Sequence, residues 1–290
     1  MTRQELVAQI KSKKTYLCVG LDTDPTKLPV HLQDRHDSVV TFNKAIIDAT
    51  KDYCVAYKIN TAFYEAQGLK GWEAMQETVD YIPATHFKIA DAKRGDIGNT
   101  SAQYAKAFFE QMNFDVITVA PYMGEDSVRP FLEYKNKWTI LLGLTSNAGA
   151  KDFELQKLIR PTTTGIEAAE LALDVATHQT EFLYEKVLRE ASNWGTEENL
   201  MFVIGATNPT EFVNIRNITP NHFYLVPGVG AQGGSLEEVS KQAMTKNCGL
   251  LVNASRAIIF ASGGEDFAEA AGREAKKYAE EMAGYLNSFS

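Results

Sequence analysis

The run KIADAKRGDIGNTS (88–101) sets Asp91, Lys93, Arg94 and Asp96 within six residues, where the apolar HFKIA (86–90) gives way. Charges of both signs packed this closely form either a solvated loop or an acid–base array in which carboxylates hold a cation where a reaction needs one. Parity separates the two readings. Residues two apart in a strand share a face, so Asp91 and Lys93 fall with Phe87 and Ile89. In CVAYKI (54–59), Lys58 shares its face with Cys54 and Ala56, and Val55, Tyr57 and Ile59 take the other; in YLCVGL (16–21), the parity of Cys18 and Gly20 runs on to Asp22. Small residues inside, bulky ones outside and a charge at the C-terminal end are what the mouth of an active site requires, and a solvated loop has no reason to keep strand parity. Lys58, Asp91, Lys93 and Asp96 are the catalytic candidates, with Asp22 beside them.

A second signal lies in LVPGVGAQGGS (225–235). Gly228, Gly230 and Gly233 satisfy GxGxxG in form, but the run follows a late strand and no acidic residue stands about twenty residues on to hold a ribose, so a dinucleotide site is disfavoured. Glycine-rich backbone at a strand-to-helix turn still exposes N–H groups suited to phosphate. Arg256, in NASRA (253–257), would bring a forked donor alongside.

These residues need a scaffold that gathers strand ends. Eight strand-like runs are present: 16–21, 54–59, 86–90, 115–120, 138–144, 200–206, 222–226 and 249–254. Helix-like stretches alternate with them: SVVTFNKAIIDATKD, YEAQGLKGWEAMQETVDYI, TSAQYAKAFFEQM, EDSVRPFLEYKN and TEFLYEKVLREASN. Asn208-Pro209 reads as a cap followed by Pro at the first helical position, Ser235 with Glu238 as a capping box, and about 265–288 as a final helix with Phe267, Ala271, Tyr278, Met282 and Tyr285 on its apolar face. Eight strands alternating with helices imply a closed (β/α)8 TIM barrel, an α/β fold, as one domain over 1–290; a doubly wound sheet ranks second. Barrel enzymes place catalytic groups at the C-terminal strand ends and commonly hold phosphate after strands seven and eight. The segment of about 151–199, including LIRPTTTG (158–165), is a longer insertion between strands five and six.

Composition sets the outer limits. The chain has 290 residues, 44% hydrophobic and 23% charged, ample for a large core, and a formal net charge of −8 argues against generic nucleic-acid or membrane-surface binding. Cys18, Cys54 and Cys248 are scattered and odd in number, the N-terminal stretch lacks the apolar core of a signal peptide, and no run has the length of a membrane helix. A cytoplasmic protein with reduced thiols is expected. The five His residues form no HxH or HExxH pair, so no metal site is expected; His86 and His222, at strand starts, belong at the far end of the barrel.

The set LDTDP (21–25), FNKAI (42–46), YKIN (57–60), DAKRGDIGNT (91–100), PGVGAQGG (227–234) and NASRA (253–257) closely resembles the orotidine 5′-phosphate decarboxylase family, in particular its longer bacterial members, over about residues 16–260. The resemblance implies decarboxylation of orotidine 5′-monophosphate to uridine 5′-monophosphate, the last step of de novo UMP synthesis, in a homodimer without cofactor or metal. It further implies that Lys58, Asp91 and Lys93 form a charged network joined by Asp96 of the second subunit, with Lys93 as proton donor to C6. By the same resemblance Asp22 holds a ribose hydroxyl, Thr100 assists across the interface, Ser146 reads the pyrimidine, and Gln232 and Arg256 grip the phosphate with Pro227 and Gly233 of the same loop. Shorter members carry Gly where this chain has Ser255, which puts a side chain where backbone would approach the phosphate. The alternatives are a metal-dependent decarboxylase or aldolase of the same superfamily, disfavoured by GAQGG and by the absence of an extra acid at Lys58–Asn60, and a phosphate-ligand sensor, which has no need of a proton donor.

Overall fold

The computed structural model describes residues 1–160, 179–230 and 233–288. Ten strands are numbered in chain order. Eight of them close into a parallel barrel: β1 (Leu17–Gly20), β2 (Ala56–Asn60), β3 (Phe87–Arg94), β4 (Val116–Val119), β5 (Trp138–Leu144), β8 (Leu200–Ile204), β9 (Phe223–Pro227) and β10 (Leu250–Ala254), with β10 pairing back onto β1. All eight runs expected from the sequence are strands, and helices cover the outside. Among the described residues no helix is long and apolar enough to cross a membrane. All three cysteines are buried free thiols.

Several element boundaries depart from the sequence reading. The strand expected to stop at residue 90 continues to Arg94, so Asp91, Lys93 and Arg94 lie within β3 and only Asp96 follows it. The helix expected over 64–82 is two, Ala62–Glu65 and Leu69–Tyr81, broken at Gly68, whose φ of +65° leaves the helical region. Asn208 and Pro209 do not open a helix: they form a turn whose carbonyls accept from Glu211 and Phe212, and the helix is Glu211–Ile218 behind Thr210. Ser235 does cap Leu236–Ala243 by accepting the Glu238 N–H. The stretch from residue 180 begins as a strand, β7 (Gln179–Phe182), paired antiparallel with β6 (Lys157–Arg160) outside the barrel, before Leu183–Ala191 turns helical. The final helix, Phe267–Ser288, packs all five of its expected apolar residues on the core.

The small-inside packing expected at β1 and β2 does not extend to β3, β5 and β9. The lower barrel is filled by aromatic rings from three alternate strands, Phe87, Trp138 and Phe223, meeting edge to face at 5.8 and 6.4 Å. His86 and His222 lie buried at that end, beside the starts of β3 and β9, as their positions imply.

One polar node stands directly behind the β1 end. Asn43, fully buried, accepts from the Thr23 hydroxyl at 2.6 Å and donates to Tyr64 and Thr78, both at 2.9 Å; the Tyr64 hydroxyl donates in turn to the Leu21 carbonyl. Three helices and the strand that leads to Asp22 are therefore tied at one side chain, and truncating it strands several buried groups at once. Asn43→Ala is expected to lower the unfolding free energy by about 2–3 kcal/mol, checked by urea denaturation; a loss below about 0.5 kcal/mol would show that the node carries little.

Candidate active site

The C-terminal strand ends open on a cavity of about 450 Å³. Asp22, Lys58, Asp91, Lys93, Ser146, Pro227 and Arg256 all line it. Leu142, Val203 and Leu225 give it apolar wall, so a flat, partly apolar ring has a surface to lie on beside the charges. Asp96, half-buried, and Thr100, exposed, are not among the lining residues of this chain; the Asp96 carboxylate accepts from the Ile97 N–H at 2.8 Å. Gly233 is also away from the lining, and Gln232 lies outside the described residues.

The charges form a chain of contacts. Lys58, almost fully buried, donates to Asp91 Oδ2 at 2.9 Å and to Asp22 Oδ1 at 3.4 Å; Lys93, half exposed, donates to Asp91 Oδ1 at 2.5 Å. Two ammonium groups and two carboxylates sum to zero, which lets Lys58 and Asp91 sit nearly buried at the mouth of the barrel. Burial alone would raise the Asp91 carboxyl, but the ammonium groups of Lys58 and Lys93 outweigh it and hold the acid well below the usual carboxylate range. Burial likewise disfavours charge on Lys58, and the carboxylates of Asp91 and Asp22 reverse this and raise it above the usual lysine range. Arg94, the fourth charge of the run, turns away: it pairs with Glu65 and lies 5.4 Å over the rings of Tyr104 and Phe108.

The phosphate-type loop is a self-bonded turn. Gly228, Gly230 and Gly233 have φ of +93°, +73° and +85°, so the GxGxxG pattern is explained by backbone geometry open to glycine. The N–H groups of Gly230, Gly233 and Gly234 donate within the loop, to Gly234, Gly230 and Gly228 carbonyls, so they are not the free donors expected from the sequence. Arg256, exposed at the start of the short helix Arg256–Ile259, has no ion pair among the described residues and faces the cavity. The departure at Ser255 is resolved by Gly20: the Ser255 hydroxyl turns back to donate to the Gly20 carbonyl at 3.1 Å, and a Cβ on residue 20 would stand 2.7 Å from that of Ser255.

Five polar lining residues escaped the sequence reading: Asn60, Thr145, Asn147, Glu154 and Asn253. Parity from Lys58 reaches Asn60, and parity back from Ser255 reaches Asn253, so those two were findable. Asn253 Oδ1 is buried without a partner among the described residues. Glu154 belongs to the insertion and accepts from the Thr145 N–H and hydroxyl, both at 2.7 Å, which fixes the loop that carries Ser146.

Similarity decides the family. Residues 15–271 match the model of the orotidine 5′-phosphate decarboxylase / HUMPS family. The chain belongs to that family. Orotidine 5′-phosphate decarboxylases of Phocaeicola vulgatus and Christiangramia forsetii are 55% and 56% identical to it, over 97% of this chain and 98% of the relative in the first case and 99% of both in the second. The solved structure of Leishmania donovani OMP decarboxylase is 30% identical, with a TM-score of 0.75 over 98% of this chain and 99% of that one.

The Asp91 contacts set a pH dependence. A carboxyl held below its unfolded value of about 3.9 stabilises the fold above that pH, and the contribution is lost as the pH falls further. Wild-type stability is expected to drop between about pH 5 and pH 3, whereas Asp91→Asn is expected to start lower at pH 7 and to lose less over that interval. Urea unfolding at stepped pH checks this; parallel curves for the two proteins would show that Asp91 is not the responsible acid.

Proposed function

We propose that this chain decarboxylates orotidine 5′-monophosphate to uridine 5′-monophosphate and CO2, the UMP-forming step of pyrimidine biosynthesis, with Lys93 as the proton donor. The observation that carries the assignment of Lys93 is its ammonium 2.5 Å from Asp91 at the open end of an otherwise buried charge chain. The C6–carboxylate bond breaks, its electron pair stays on C6, and the Lys93 ammonium gives one of its protons there, to be replaced from solvent. A fixed cation beside a carbanion with poor resonance stabilisation also lowers the energy of the developing charge. Asp91 faces the substrate carboxylate in this reading. Two unit charges 4 Å apart interact by about 4 kcal/mol at an effective dielectric of 20, and the strain is relieved as CO2 leaves.

Around this centre, Asp22 and Lys58 take the ribose side, Ser146 the pyrimidine, and Arg256, Gln232, Pro227 and Gly233 the phosphate. Gripping the remote phosphate supplies binding energy that orders the charged set. In this reading no cofactor or metal enters the reaction: Asp22 and Asp91 are engaged by lysines and Glu154 by Thr145, which leaves no spare acidic ligand pair in the cavity among the described residues. The segment of about 151–199 is read as an insertion on a single-domain barrel. A cytoplasmic location is part of this reading, supported by the three buried free thiols.

The active form is a homodimer in which Asp96 and Thr100 of one subunit complete the site of the other. Two observations support this: neither residue lines the cavity of its own chain, and Ile97, Tyr122 and Met123, close by, are 59%, 86% and 45% exposed. Apolar side chains displayed beside a displaced acid are suited to burial against a second copy.

With orotidine 5′-monophosphate and EDTA present, purified protein is expected to show the ultraviolet change of conversion to UMP, and Lys93→Ala to lose at least about 10³-fold in kcat. Turnover that required Mg²⁺ would assign the chain to a metal-dependent reaction instead, and ligand binding without turnover in the wild type would make it a sensor. Mixing inactive Lys93→Ala with inactive Asp96→Ala is expected to restore part of the activity, since a mixed dimer holds one intact site. No recovery, with subunit exchange verified, rejects the shared site.

A further inference from the structure

The ladder between β3 and β4 is irregular where the chemistry sits. Ala90 pairs with Ile117, and the next pair is Arg94 with Val119. Asp91, Ala92 and Lys93 therefore stand opposite a single residue, Thr118. A bulge of this kind re-aims side chains and leaves backbone groups without ladder partners. Lys93 takes up the irregularity with a φ of +45°, a left-handed conformation that residues with a Cβ seldom adopt. Its N–H has lost the usual strand acceptor, and the Thr118 hydroxyl replaces it, accepting at 2.8 Å. The same hydroxyl donates to Asp91 Oδ1 at 3.2 Å, the oxygen that also accepts from Lys93 Nζ. Thr118 is fully buried, so water does not compete for either bond.

We infer that Thr118 is a positioning residue for the reaction: its hydroxyl closes a ring from the Lys93 backbone through Asp91 to the Lys93 ammonium and so fixes where that ammonium stands. The inference rests on Lys93 being the proton donor. Threonine suits the task because its Oγ1 has both a donor and an acceptor role to fill, and because a β-branched side chain in a strand holds χ1 firmly. Valine keeps the shape and removes both bonds. Without them the strained backbone has no fixed anchor, Asp91 loses one of its donors, and the ammonium moves relative to C6.

The test separates positioning from simple structural support. Thr118→Val is expected to lower kcat by about 10- to 100-fold, the scale of a misplacement near 1 Å, with KM and the Kd for the product UMP each changed less than about threefold. Thr118→Ser, which keeps the hydroxyl, is expected to stay within about threefold of wild-type kcat; Thr118→Ala serves if the valine variant does not fold. Wild-type kcat in the variant lacking the hydroxyl overturns the inference. So do equal losses in the serine and valine variants, and a loss confined to KM. Lys93→Ala run alongside keeps the two readings apart: full turnover in Lys93→Ala removes the proton-donor assignment itself, whereas an inactive Lys93→Ala with an unimpaired Thr118→Val removes only the role given to Thr118.

Discussion

Everything at the mouth of this barrel is arranged around one carboxylate that cannot leave its place. Asp91 is nearly buried between the ammonium groups of Lys58 and Lys93. Removing either cation would leave the nearly buried carboxylate with an unbalanced charge. The barrel meets this demand by construction: β2 and β3 are neighbours with Lys58 opposite Ile89, so the lysine on one strand reaches the acid two residues further along the next. β1 pairs with the other edge of β2, with Gly20 opposite Lys58, and Asp22 joins from there. The charged set is thus a property of strand order and pleat before it is a property of any loop.

This explains which parts of the site were legible from the sequence. Strand parity is a local rule, and it put Asp22, Lys58 and Asp91 on the face that lines the cavity, just as short apolar runs marked the eight barrel strands. It placed Lys93 on the right face for an incomplete reason. Simple alternation does not foresee the bulge in which Asp91, Ala92 and Lys93 share one partner, nor the positive φ of Lys93. Thr118 was invisible for the same cause, because a threonine inside VITV is what any strand might contain, and only the neighbouring strand's irregularity gives its hydroxyl two partners. Asn208-Pro209 failed differently: a good helix-opening signal was used as a turn, and the helix waited until Glu211.

The insertion shows where single-sequence reasoning stops. TEFLYEKVLREASN has helical periodicity throughout, yet its first residues pair with Lys157–Arg160 as a ribbon, a choice settled by a partner more than twenty residues away. Nothing nearby marks Glu154 as part of the pocket. Its carboxylate nevertheless ties the base of this excursion to Thr145, one residue before Ser146, so the extra segment and the loop that carries Ser146 are mechanically joined.

The closure of the barrel also constrains how this chain can change over time. Gly20 on β1 and Ser255 beyond β10 occupy one shared space, with the serine hydroxyl on the Gly20 carbonyl and no room for a second Cβ. Neither position is independent. An alanine at 20 becomes sterically admissible only after 255 has become glycine, leaving Asn253 Oδ1 at 3.2 Å as the remaining tight neighbour. The order of substitution is therefore fixed by geometry: within this lineage, residue 255 has to shrink before residue 20 can grow.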